Sequence, residues 1–222
     1  MAGGVKGVKV FAQERKLIRS EKLLPSGHWE FDTQDYPGLI GELGGFAQEK
    51  NAATVLCAIE ILKNGIFTIS PEAVYKGFRS VIANTGLMGR WQIVGNRPKI
   101  VLDTGHNVAG IEYVVRQLLA EKHERLHIVF GMVSDKDISS VLALLPKDAC
   151  YYFTQASIPR ALDAGLLAEQ AGAFGLQGQI FSTVSEAFFV AKQNATEKDI
   201  IFVGGSNFVI ADALKDIKQE KQ

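Results

Sequence analysis

Over the second half of the chain, short apolar runs alternate with amphipathic stretches. The apolar runs are Lys99–Leu102, His127–Phe130, Tyr151–Thr154, Gln179–Phe181 and Ile200–Val203. Each is the length of a strand buried on both faces. Between and after them, apolar residues recur at helical spacing. The helices are expected near Ala109–Glu121, Ile138–Leu145, Ala164–Phe174, Val184–Gln193 and Phe208–Ile217. Ile111, Val114, Val115, Leu118 and Leu119 form the clearest stripe and place a helix start near Asn107 or Val108. Strands alternating with helices predict right-handed crossovers and an α/β fold, a Rossmann-like, mostly parallel sheet with flanking helices.

The pattern before Arg90 is different. Three strand-like pieces, Val8–Phe11, His28–Phe31 and Gly38–Ile40, sit among turn residues. A helix from about Ala47 to Lys63 follows, with Val55, Leu56, Ile59 and Leu62 on one side. A second opens at Ser70-Pro71-Glu72, with Ser70 as N-cap and Pro71 in the first turn. The division predicts a unit over 1–88 and a compact Rossmann-like domain over 89–222. The first is short and ragged and reads as the tail of something larger.

Composition narrows the partners. Lys plus Arg equals Asp plus Glu, 24 each in 222 residues. That balance gives no electrostatic case for nucleic acid or an acidic membrane. Cys57 and Cys150 lie in apolar runs and read as small buried hydrophobes of a reducing compartment. No signal-peptide pattern or apolar run of about 18 residues is present. A soluble, cytoplasmic protein is expected.

The turns after the strands are crowded with chemistry. "KIVLDTGHNVAG" puts Asp103, Gly105, His106 and Asn107 at a strand end. "FGMVSDKDI" delivers Asp135, Lys136 and Asp137; "YYFTQASIPRA" delivers Ser157 and Arg160; "VGGSNFVI" delivers Gly204, Gly205, Ser206 and Asn207. In a parallel sheet these turns share the edge where open α/β sheets bind ligands. An acid for ribose hydroxyls, cations for phosphate and a Gly-Gly-Ser turn with free N–H groups suit a nucleotide or another anion. Plainer roles stay open for each: Asn107 as a helix cap, Asp103 as a turn former, Lys136 and Arg160 as solvated charges, Gly204-Gly205 as a tight turn. G-x-G-x-x-G, G-x-S-x-G and G-x-x-x-x-G-K-S/T are all absent from the sequence, and His28, His106, His123 and His127 show no metal spacing.

Four segments in order, "GELGGFAQEKNAATVLCAIEIL", "GLMGRWQIVGNRPKIVLDTGHNVAG", "FGMVSDKDI" and "VGGSNFVI", resemble the later part of folylpolyglutamate synthase and its bifunctional dihydrofolate synthase form, a branch of the Mur ligase superfamily. The likeness runs from about Val8 to near the end. Members join an amino-terminal ATPase domain with a phosphate loop to a carboxyl-terminal Rossmann-like domain. ATP phosphorylates a folate or dihydropteroate carboxylate, and the amine of L-glutamate displaces the phosphate. The resemblance implies that this chain is a carboxyl-terminal fragment, 1–88 being the end of the ATPase domain, and that it is inactive alone.

It also implies roles. Asn51 matches the asparagine that meets the adenine side of ATP, and Arg90 the arginine that reaches its phosphates. Asp103 matches the acid that holds the ribose. His106 is expected to orient the nucleotide or the acyl phosphate. Arg90, His106 and Lys136 are the catalytic candidates; Lys136, Arg160 and Ser206 lie where glutamate and folate contacts gather. The family's usual proline after His-Asn is Val108 here. Gly86 and Gly89 of "GLMG" are expected to serve as a hinge. ATP and Mg²⁺ are the expected cofactors, the metal held mainly by the absent amino-terminal part, and a monomer is expected. A Mur-type ligase of peptidoglycan precursors and a stand-alone nucleotide-binding module are the alternatives.

Overall fold

The computed structural model describes residues 10–65 and 67–219. It divides into two compact units, one ending at Gly86 and the other beginning at Leu87.

In the first unit, β1 (Ile18–Leu23), β2 (Trp29–Thr33) and β3 (Leu39–Gly41) form an antiparallel sheet in sequence order. Helices α1 (Gln48–Lys63), α2 (Pro71–Arg79) and α3 (Val81–Thr85) follow. Trp29, Phe31, Tyr36, Leu39, Leu56 and Val74 build a hydrophobic core of the unit's own. Of the strand expected at Val8–Phe11, Val8 and Lys9 lie outside the described residues, and Val10 and Phe11 belong to no strand. β1 was not foreseen; its exposed sequence IRSEKL carries no apolar alternation. Ser70 caps α2 as expected, accepting from the Ala73 N–H at 3.2 Å. Along α1 the buried residues are Gln48, Ala52, Leu56 and Cys57, while Val55 and Leu62 are 46% and 43% exposed.

The second unit holds a six-stranded sheet in the order β4-β5-β9-β6-β7-β8. The strands are β4 (Gln92–Asn96), β5 (Lys99–Asp103), β6 (Leu126–Phe130), β7 (Cys150–Phe153), β8 (Gly178–Ile180) and β9 (Ile200–Gly204). β5 to β9 run parallel; β4, not foreseen, pairs antiparallel with β5 at one edge. The helices are α4 (Val108–Ala120), α5 (Ile138–Leu142), α6 (Ala164–Gly172), α7 (Val184–Asn194) and α8 (Asn207–Gln219). α5 is three residues shorter than expected. Asn107, Asp137, Asp163 and Thr183 each cap the helix that follows a strand end.

The period of two along each strand divides the core in two. On β9, Ile200 and Phe202 join one cluster, with Ile111 and Leu118 of α4 and Leu167 of α6. Ile201 and Val203 join the other, with Phe188 of α7 and Val209 of α8. The helix after β9 therefore lies on the opposite face from those after its neighbours β5 and β6. That divergence makes the carboxyl end of β9 the topological switch point of the sheet, the place where open α/β folds bind ligands.

Two features of the amino end of the sheet bear on stability. Cys150 opens β7 exposed rather than buried, while Cys57 is buried; both thiols are free. His127 is 1% exposed, its Nδ1 2.9 Å from the Tyr152 hydroxyl and its Nε2 3.5 Å from Asp199 Oδ2. Burial pushes the ring pKa below 6.5 despite the opposing pull of Asp199. At Asp199 burial works to raise the pKa, but the N–H groups of Thr196 and Arg125 and the His127 ring outweigh it and leave it lowered. The unfolded chain thus takes up a proton at His127 before the folded one does. The stability due to a neutral His127 is present above the unfolded pKa and is lost as pH falls through and below it, by about 1.4 kcal/mol per unit of depression. The Asp199 contribution fades only at more acid pH, below 3.8. Urea midpoints should fall between about pH 7.5 and pH 5 for the native sequence, and that fall should shrink in His127→Gln. Equal falls in both proteins would refute this account.

Candidate functional site

β5 ends at Asp103, in register with Gly204 at the end of β9, which in turn aligns with Phe130 of β6. Asp103 and the Gly204-Gly205-Ser206 turn therefore lie side by side at the switch point. Gly205 has φ +89°, and a Cβ there would lie 2.6 Å from the Gly131 carbonyl oxygen. The Gly131 N–H donates to the Gly204 carbonyl at 3.3 Å. These close approaches lock the turns after β9 and β6 together.

The Asp103 carboxylate is held at both oxygens. Oδ1 accepts from the Gly105 N–H at 2.8 Å and Oδ2 from the Trp91 N–H at 2.7 Å. Burial pushes its pKa up, opposed by those two N–H groups and by the Arg90 charge. Each oxygen keeps a second lone-pair direction for a hydroxyl donor. His106 Nδ1 lies 2.9 Å from the Thr104 carbonyl oxygen, which only accepts, so Nδ1 carries the proton. In the neutral ring Nε2 is then the acceptor. The Thr104 hydroxyl is buried without a hydrogen-bond partner. Arg90 is half-buried and makes no hydrogen bond or ion pair among the described residues. Ser206 is buried, and its hydroxyl accepts from the Phe208 N–H at 3.2 Å.

The loops after β6 and β7 are fastened to each other. The Ser134 N–H donates to the Arg160 carbonyl at 3.1 Å, and Val133 bridges Ala161. Arg160 faces Asp135 at 3.7 Å and stands 4.9 Å above the Phe208 ring. Lys136 beside it is exposed, with no hydrogen bond or ion pair among the described residues. So Asp103, His106, Lys136, Arg160 and Ser206 all follow the carboxyl ends of parallel strands. Asn51 lies in the first unit, exposed on α1, its Nδ2 donating to Gln48 Oε1 at 3.3 Å.

Two residues of the site were not foreseen. Trp91 supplies a backbone N–H to Asp103, and Gln92 Oε1 accepts from the Gly89 N–H at 2.9 Å. Trp91 has φ +47°, a strained conformation for a bulky residue, costing on the order of 1–3 kcal/mol. Gly89 is no free hinge: its carbonyl accepts from the Thr104 N–H at 2.9 Å, and a Cβ would meet Thr104 Cγ2 at 2.8 Å. Gly86, with φ +68° and nothing near its Cβ position, closes α3.

The six-stranded, mostly parallel sheet with helices on both faces is the fold of a ligase domain. The chain belongs to the Mur ligase family: the family described as Mur ligase, glutamate ligase domain, matches residues 89–207. The Escherichia coli (strain K12) dihydrofolate synthase/folylpolyglutamate synthase is 30% identical over 199 residues, covering 85% of this chain. The chain spans only 44% of that relative's length. The structure of E. coli FolC in complex with DHPP and ADP superposes with a TM-score of 0.72 at 29% identity, over 90% of this chain and 46% of that one. A bifunctional folylpolyglutamate synthase/dihydrofolate synthase with Mn, AMPPNP and L-glutamate bound gives 0.70 at 30% identity, over 86% and 44%.

Proposed function

We propose that this chain is part of a cytoplasmic, ATP-dependent ligase that adds L-glutamate to a folate, or to dihydropteroate, through an acyl phosphate. The single observation that carries the reading is Asp103, its two oxygens pinned by backbone N–H groups at the switch point of the sheet beside Arg90. That arrangement suits a ribose whose two hydroxyls donate to one carboxylate. Bound ATP supplies the phosphoryl group that activates the acceptor's carboxylate.

The chain's own residues have separable tasks. Asp103 orients the nucleoside, and Arg90 offsets charge on the phosphates. His106 presents Nε2 toward the nucleotide or the activated carboxylate. Lys136, Arg160 and Ser206 hold carboxylates of glutamate and folate, with Arg160 aimed by Phe208 and Asp135. Among the described residues no group of three or more His, Cys, Asp or Glu side chains is placed to hold a metal ion. The divalent ion expected with ATP draws no such set from them.

The test is a titration of the ¹⁵N-labelled chain with ADP. Amides of Arg90, Gly105 and His106 should shift, and Asp103→Asn should weaken binding by about tenfold or more, the cost of a hydrogen bond to a charged group. Shifts confined elsewhere, or unchanged affinity in Asp103→Asn, would refute the reading. The chain alone should release no glutamate-dependent phosphate from ATP. In a turnover-competent ligase containing it, activity with a folate rather than a UDP-sugar peptide separates this reading from a peptidoglycan ligase.

A further inference from the structure

We propose that Trp91 is a positioning residue for the nucleotide site at the switch point: its core-anchored indole holds its own backbone in a left-handed turn that fixes the Asp103 carboxylate and sets Arg90 beside it. The proposal rests on the nucleotide reading above.

The register of the β4–β5 pair shows what the turn accomplishes. Gln92 pairs with Leu102 and Ile93 with Val101. Continued by one residue, the ladder would set Trp91 against the Asp103 backbone. The chain leaves the ladder instead. At φ +47° the Trp91 N–H reaches the Asp103 side chain, at 2.7 Å from Oδ2.

A bulky residue keeps such a conformation only when its surroundings over-determine it. The indole is 4% exposed, in the cluster that includes Val101, Ile111 and Phe202. Glycine would adopt the turn without strain but would leave it unanchored. A tryptophan serving only to fill the core would have no need of the strained backbone.

Arg90 is the residue that this arrangement places. On its other side Gly89, at φ +70°, is bonded through its carbonyl to the Thr104 N–H and through its own N–H to Gln92 Oε1. Arg90 thus lies between two left-handed residues, both tied to the end of β5. Its backbone is fixed from both sides, while its guanidinium has no hydrogen bond or ion pair among the described residues. The strain is spent on the direction in which one cation leaves the chain.

Amide hydrogen exchange and ADP titration of the 222-residue chain test this with Trp91→Gly, Trp91→Phe and the double variant Trp91→Gly/Asp103→Asn. In Trp91→Gly, protection of the Thr104 and Gly105 amides should drop about tenfold or more relative to Val203 in the core of β9. Trp91→Phe, which keeps an aromatic anchor, should restore it. ADP affinity should fall about tenfold in Trp91→Gly and recover in Trp91→Phe. The double variant should lose less affinity than the sum of the two single losses, because Trp91 acts partly through that carboxylate and partly through Arg90; strict additivity would overturn the proposal.

A uniform loss of protection across the second unit, or a local loss with unchanged ADP affinity, would overturn the proposal. If the native chain gives no ADP shifts, the nucleotide reading fails, and the exchange pattern still decides whether Trp91 holds the Asp103 turn. Should Trp91→Gly not fold, Trp91→Leu shrinks the anchor while keeping an apolar side chain in the core. It should show the same local loss of protection, and intact protection there would overturn the proposal.

Discussion

Arg90→Ala, introduced into a ligase able to turn over, should lower kcat by on the order of 10³-fold, the scale of an arginine that stabilises a phosphoryl-transfer transition state. The expectation starts from what Arg90 does not do. It is half-buried, yet makes no hydrogen bond or ion pair among the described residues. Its charge is felt at Asp103, where it opposes the rise in pKa caused by burial. A guanidinium fixed at its backbone and unspent on structure is available to charge that develops during reaction. An interaction made mainly in the transition state lowers kcat and leaves KM for ATP less affected. Arg90→Lys should recover only part of the rate, since lysine keeps the charge but loses the planar fork. If Arg90 served only a surface ion pair, worth about 0–1 kcal/mol, its removal would change kcat by no more than a few-fold. Steady-state kinetics of the two variants decide between these outcomes.

The parallel strands β5, β6, β7 and β9 were legible because each is an apolar run set into the core, whereas β8, GQI, is exposed throughout and not the doubly buried strand expected there. Their polar termini followed from the same reading, since topology alone puts Asp103 and Ser206 at one edge. Two of the edge strands, β1 and β4, were not legible. β4 is QIVGN, with a register irregularity between Ile93 and Gly95 and Ile93 exposed. β1 is almost wholly solvated and owes its place to pairing with β2. Both are set by a neighbour rather than by their own pattern. Cys150 was misread because the apolar residues beside it belong to a strand that it only begins. Trp91 was invisible for a deeper reason. Its role depends on a backbone angle and one N–H, and no spacing of residue types encodes either. The nearest sequence signal was an aromatic residue set between Arg90 and Gln92 just before β4, and it acquires meaning only once the β4–β5 register is known.

The second large effect is expected at a residue without a side chain. Gly205→Ala should cost the second unit about 2–5 kcal/mol, combining the strain of a left-handed alanine with overpacking. At φ +89° an alanine is already unfavourable. Its methyl group would also stand 2.6 Å from the Gly131 carbonyl oxygen and within 3 Å of the Phe130 ring. One of these is backbone and the other a fully buried aromatic side chain, so neither can give way cheaply. The turn itself would have to move, and with it Ser206 and the link between the Gly131 N–H and the Gly204 carbonyl. Gly172 provides the comparison. It ends α6 with ordinary φ and nothing within 4 Å of its Cβ position. Gly172→Ala should therefore be neutral or stabilising by up to about 1 kcal/mol, through the unfolded chain. Urea denaturation of the two variants beside the native protein measures the difference. A Gly205→Ala protein within about 0.5 kcal/mol of the native one, the range of an unremarkable surface change, would mean that the turns after β9 and β6 are not locked by close approach.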